Sequence, residues 1–262
     1  MLPVAAIVFA MTSCQPEETP EPTEPIDTPV TTTPTAPPPP QPTVAGVHGA
    51  MIAIRTDFSF TQMGVSVPFN TEMGVAAFYT NSGDAAMVDA GTVKLNNNAL
   101  TKATNGAYSI TAGIPTQQPT TLGLEGNINW NVTGNSTYGV QASNYNIDAS
   151  VYAFPNYTAT IPTDITRANG LVLNFNSGTT VGADSVYVVI ISGSQSIMRA
   201  YRANAGNVTI GGDDLNALPA SSTTSIAYIE ICPWKYMGAQ TLMGKTYAYV
   251  NERAIVRSIN LN

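Results

Sequence analysis

The 262-residue chain is poor in the groups that do most protein chemistry: it has one histidine, two cysteines and ten lysines or arginines. A Ser-His-Asp or Cys-His relay would have to run through His48, which sits among Val47, Gly49 and Ala50 on an expected first strand. A catalytic zinc usually takes two or three His or Cys ligands from the protein. Beyond the N-terminal leader only His48 and Cys232 could supply them. G-x-S-x-G, H-E-x-x-H, a Walker-type phosphate loop and C-x-x-C are all missing. No metal and no cofactor are therefore expected. Charged residues make up 10% of the chain, against about 25% in an average domain. Their scarcity, with Asn, Thr, Ser and Gly in their place, suits the neutral outer faces of secreted β-proteins.

The formal charge of −7 misleads, because five of the seventeen acids are Glu17, Glu18, Glu21, Glu24 and Asp27. From Val44 onward twelve acids face ten bases, a net of −2. The body thus has no basic footprint for nucleic acid and no polybasic patch for anionic lipid.

Leu2 to Ala10 (LPVAAIVFA) is too short to cross a membrane as a helix, which needs roughly 20 apolar residues. It has the length of the apolar core of a secretory signal. Gln15 to Thr43 then holds eleven prolines and eight threonines and no aromatic residue. Proline fixes φ and removes donors, so an extended spacer is expected, polyproline II at Pro37 to Pro40. At about 3.1 Å per residue its reach is at most ~90 Å, enough to lift a domain clear of a bilayer.

Past Val44, short runs of β-branched and aromatic residues alternate with Gly, Asn, Ser and Pro, with no sustained helical period. Strands are expected at 47–55, 73–80, 86–95, 106–111 and 126–133. Ile128, Trp130 and Val132 alternate with asparagines, which makes Trp130 a core anchor. Pro155 and Pro162 bracket a boundary, after which strands restart at 171–176, 185–192, 195–202, 207–210, 225–232 and 246–261. Ser185 to Ser192 (SVYVVIIS) is apolar on both faces and is expected in mid-sheet. The spacing predicts an all-β fold of two consecutive immunoglobulin-like or fibronectin-III-like sandwiches. The segments are 1–13 (signal), 14–43 (cysteine and linker), 44–155 (first sandwich) and 156–262 (second).

The small residues before Cys14, followed by the polar extended segment, resemble the lipobox of bacterial lipoproteins. The resemblance implies that Cys14 becomes an acylated first residue, anchored in a bilayer. The acidic run QPEETPEPTEP resembles the export stretch of surface lipoproteins in Bacteroidetes. With DAGTVKLNNNAL, GADSVYVVI and YAYVNER it makes the chain similar to their tandem β-sandwich bodies. This implies an outer-membrane, cell-surface location and no particular site. Asp184-Ser185-Val186 also fits the short O-glycosylation motif of those bacteria, whereas Asn-x-Ser/Thr at 131, 135, 156 and 207 is what chance supplies in such a chain.

Three function classes follow. A non-catalytic module that binds or presents a glycan or a host protein leads. A fimbrial or adhesin subunit is the alternative, with Arg55 in an early strand as the processing position. An accessory glycan-processing enzyme comes third, since glycosidases need only two acids. Asp213-Asp214 reads as a helix cap with an Asp as N-cap, lacking the spaced oxygen ligands of a Ca²⁺ loop. Glu230 reads as an exposed strand position, and Cys232 as a small buried hydrophobe. The aromatic binding candidates are Trp234 and Tyr236, expected on a loop after Pro233 ends strand pairing. For Trp234 a hydrophobic lid is the plainer reading and is preferred.

Overall fold

The computed structural model describes residues 46–62, 65–113, 119–150, 153–222 and 225–262. Cys14, the leader and the linker to Thr43 lie outside the described residues. The fold is all-β and β-sandwich-like. In chain order the strands begin with β1 (Gly49–Gln62), β2 (Val65–Phe78), β3 (Val93–Leu95), β4 (Asn98–Ala99), β5 (Thr101–Lys102), β6 (Tyr108–Ala112), β7 (Ile128–Val132) and β8 (Ser143–Ile147). Then come β9 (Asn156–Tyr157), β10 (Asp164–Ile165), β11 (Leu171–Phe175), β12 (Thr180–Val181), β13 (Ser185–Ser192), β14 (Gln195–Arg202), β15 (Gly206–Ile210), β16 (Ala227–Leu242) and β17 (Lys245–Leu261). Helix among the described residues is limited to α1 (Gly212–Asn216) and two 3-10 turns.

Two long hairpins, β1–β2 and β16–β17, make the spine. They lie side by side because β1 pairs in parallel with β17, from Gly49↔Tyr247 to Ser59↔Arg257. The resulting nine-stranded sheet runs β14-β13-β16-β17-β1-β2-β6-β5, with β10 also on β17. Parallel pairing cannot be made by a tight turn, so the contact between β1 and β17 closes almost the whole described chain into a loop.

Alternate residues of a strand face opposite ways, and one face of β17 serves two cores in succession along its length. Tyr247 and Tyr249 enter a first core with Met51, Ala53, Ala76 and Phe78. It is closed by the small sheet β4-β3-β7-β8, which contributes Leu95, Ile128 and Trp130. Ile255, Ile259 and Leu261, on the same face of β17, enter a second core with Val186, Val188, Ile190, Ile229 and Ile231. Leu171, Leu173, Phe175, Val208 and Ile210, from β11 and β15, close that one. Both cores therefore sit on one face of the large sheet. Met237, Tyr247 and Tyr249 complete the first core from the C-terminal part of the chain.

Several strand expectations shift. The segment expected at 86–95 is irregular until Val93, and the second strand begins at Val65 rather than Met73. Pro68 pairs with Ser59 of β1, and among the described residues β6 pairs with β2 only from Glu72 onward, so no described neighbour calls on the missing N–H from the other side. Pro233 does not end its strand. It pairs with Val186 on β13, and β16 continues to Leu242. On the β17 side the register runs from Ile231↔Ile255 to Trp234↔Glu252, and Pro233, with no N–H, falls in the gap. Further on, Met237 is an extra residue in a bulge. The next residue must be glycine: Gly238 has φ +130°, and a Cβ there would lie 2.5 Å from the Tyr145 hydroxyl. The cap of α1 is Gly211 with no side-chain bond, not an aspartate. Asp213 and Asp214 fall in the first turn, where carboxylates suit the helix dipole.

Candidate functional site at the waist between the two cores

Between the two cores the inward face of the sheet turns polar. On β17 Asn251 and Arg253 separate Tyr249 from Ile255, and on β1 Arg55 and Asp57 follow Met51 and Ala53. Register places Arg253, Arg55 and Glu72 in a row across β17, β1 and β2. Each of these charges has a partner. Arg253 Nε lies 2.8 Å from Asp57 Oδ2, and Arg55 is ion-paired with Glu125. The Arg55 guanidinium also lies over the Phe154 ring, 5.6 Å from its centroid. Glu72 accepts from the Thr121 hydroxyl at 2.8 Å and from the backbone N–H groups of Leu122, Gly123 and Leu124. It thereby anchors the turn that carries Glu125. A cleft of about 220 Å³ opens above the two arginines, walled by Leu124, Glu125, Ile128 and Phe154.

Arg55, the expected processing position, therefore lies in mid-strand, flanked in register by Glu72 of β2 and Arg253 of β17. His48 precedes β1, and its Nδ1 accepts from the Thr246 N–H at 3.2 Å, pinning the start of β17. Asp184 of the Asp184-Ser185-Val186 motif accepts from the Tyr236 N–H at 2.8 Å, with Lys235 at 3.7 Å, so it ties β13 to β16.

Trp234 and Tyr236 lie on β16, not on a loop, and both point to the face opposite the cores. Trp234 is half-buried against Ile52, Ile54, Val75 and Val250 and stacks beside Tyr187 at 6.2 Å. Tyr236 is 41% exposed. The structure thus brings neither residue to the waist cleft. Trp234→Ala should lower stability by about 2–3 kcal/mol, short of the roughly 3–5 of a fully buried tryptophan. Tyr236→Ala should lower it far less. Paired thermal melts check both, and equal losses would contradict the packing.

The same opposite face holds the least expected groups. Glu230 turns away from Ile229 and Ile231 as alternation requires, but the face it turns to is buried too: Glu230 is 1% exposed and Glu252 is fully buried. Among the described residues neither carboxyl has a hydrogen-bond partner. Burial pushes Glu230 up to about 8, and burial together with Glu230 pushes Glu252 well above the carboxylate range. Cys232, between them, is fully buried. Its thiol is pushed up first by burial and then by the two acids, which opposes the thiolate that nucleophilic chemistry needs. Sequence reasoning missed this acid pair because alternation reports which face a residue takes, not whether that face meets water. Among the described residues no three of His, Cys, Asp and Glu converge as a metal would require, and no helix is long and apolar enough to cross a membrane. The chain matches no family model, no curated protein and no solved structure.

Proposed function

We propose that this protein is a surface-exposed lipoprotein whose body is a non-catalytic module that binds or presents a ligand, a glycan or a host protein. Cys14 carries the lipid in the outer membrane, and Gln15 to Thr43 holds the body off the bilayer. The body is read as two consecutive immunoglobulin-like sandwiches. The observation that carries the reading is the waist: two cores joined by the through-going strands β16 and β17, with a cleft at the edge of the first core where Arg55, Arg253 and Glu125 meet apolar walls. Ligand sites favour such junctions, where fixed elements hold a few polar groups at a concave surface. The groups with the most perturbed acidities, Glu230, Glu252 and Cys232, are closed off from solvent on the other face, away from any substrate. The fimbrial alternative takes cleavage after a basic residue in an early strand, a position that Arg55 on β1 fits; the long Pro-rich linker, which a polymerising subunit does not need, favours the tethered module.

Expression with a fatty-acid probe should label the protein, and Cys14→Ala should abolish both label and membrane attachment. Protease added to intact cells should then remove the body. Labelling that persists in Cys14→Ala, or a body that protease cannot reach, would overturn the surface-lipoprotein reading.

A further inference from the structure

We propose that the waist cleft takes a single acidic sugar residue, a uronic-acid-type carboxylate, which replaces Glu125 on Arg55. The proposal rests on the binding-module reading and names the ligand class of its site.

The argument starts from two guanidiniums in one register row. Arg55 and Arg253 are direct neighbours on β1 and β17, with side chains 18% and 21% exposed. Like charges set side by side and partly desolvated need anions, and each has one. The two anions are not equivalent. Asp57 is 28% exposed and belongs to the same strand as Arg55, so it is fixed to the sheet. Glu125 is 75% exposed and reaches Arg55 from a surface turn. An ion pair with so exposed a partner is screened by water and contributes little stability. Glu125 is therefore an exchangeable occupant of a site that the rest of the structure holds in place.

Arg55 is held ready for the exchange. Phe154 stacks against the guanidinium, and Glu72 fixes the turn through four bonds from its hydroxyl and backbone donors, so the backbone wall stays while the Glu125 side chain leaves. A planar guanidinium presents a fork that matches a carboxylate, and preorganisation reduces what binding costs in lost freedom.

Size and lining indicate what the carboxylate is attached to. About 220 Å³ falls below the roughly 300–1,000 Å³ of sites for drug-sized ligands, which suits one ring rather than a chain. Leu124, Ile128 and Phe154 offer apolar contact to a C–H face, while Arg253 and the backbone at Gly126 line the polar rim where hydroxyls would point. A sugar ring has that division of faces, and a uronic acid adds the carboxylate.

The test is calorimetric titration of the full chain with D-glucuronate and D-galacturonate, against D-glucose, D-galactose and acetate. At least one uronate should bind in the millimolar range or tighter, at least tenfold more strongly than its neutral hexose and than acetate. Arg55→Met should weaken it at least tenfold. Glu125→Gln removes the competing carboxylate and should tighten it several-fold. Because Glu125 is exposed, this variant keeps the test decisive if Arg55→Met fails to fold. Added salt should weaken binding. Equal binding of uronate and neutral hexose, weaker binding in Glu125→Gln, or no uronate binding at all would each overturn the proposal. Retention of a neutral glycan or a protein that ignores Arg55 would overturn this site yet leave the binding-module reading standing.

Discussion

Trp130→Ala should cost about 3–5 kcal/mol, a large fraction of the roughly 5–15 kcal/mol that holds a typical domain folded. Trp130 is fully buried on β7 between Leu95 and Tyr145 in register, and it packs across to the large sheet near Gly74. A Cβ at Gly74 would lie 3.5 Å from the Trp130 ring and 2.6 Å from Leu95, so the two sheets have closed on this point without slack. Removing the indole leaves a hole that β strands pinned on both sides cannot collapse into. Trp130→Phe should cost far less, about 1–2 kcal/mol, since the indole N–H has no hydrogen-bond partner among the described residues to lose. Urea denaturation of both variants checks the pair. An Ala variant as stable as the parent would mean that the first core is not built around this residue.

Raising the pH from 5 to 8 should destabilise the protein by an amount on the order of 3–5 kcal/mol, and Glu230→Gln should remove much of that loss. The sign follows from proton linkage. Glu230 titrates at about 8 in the folded chain, against an ordinary 4.5. Between those values the unfolded chain binds fewer protons, so stability is greatest below about 4.5 and falls until the pH passes about 8. Each unit of difference is worth about 1.4 kcal/mol, which sets the scale as an upper bound. Glu252 acts in the same direction, so the Gln variant keeps a shallower slope. Denaturation midpoints at pH 5, 6.5 and 8 for parent and variant measure it. A parent whose stability is flat across that range would show that Glu230 is solvated.

Much of the second half is readable from residue order. Leu171, Leu173 and Phe175 alternate with Val172 and Asn174, and the strand forms with the odd positions buried. Ser185 to Ser192 is apolar on both faces and lies between two neighbours, β14 and β16. Gly193 and Gly244 close their hairpins at positive φ, where glycine carries no steric cost. Reading failed where a local signal met a non-local partner. Pro233 is a breaker by its own chemistry, yet β13 supplies a neighbour that does not need its N–H. The stretch 86–92 touches its neighbours through single bonds, Val88 N–H to the Phe78 carbonyl and Ala90 N–H to the Tyr108 hydroxyl, and not through a strand ladder.

The sequence by itself determined the all-β character, the periodicity that selects which side chains share a face, the core role of Trp130, and the small number of groups able to do chemistry. These are properties of residues and their near neighbours, fixed by sterics and a two-residue repeat. Only the tertiary structure decided that β1 runs parallel to β17, because that pairing joins residues about 200 positions apart. From that one pairing come the shared sheet, the two cores on one of its faces, the row Arg253–Arg55–Glu72 across three strands and the cleft above it. It also decided that the face carrying Glu230, Cys232 and Glu252 is buried. Alternation assigns a side chain to a face, but whether that face meets water depends on what the rest of the chain lays against it.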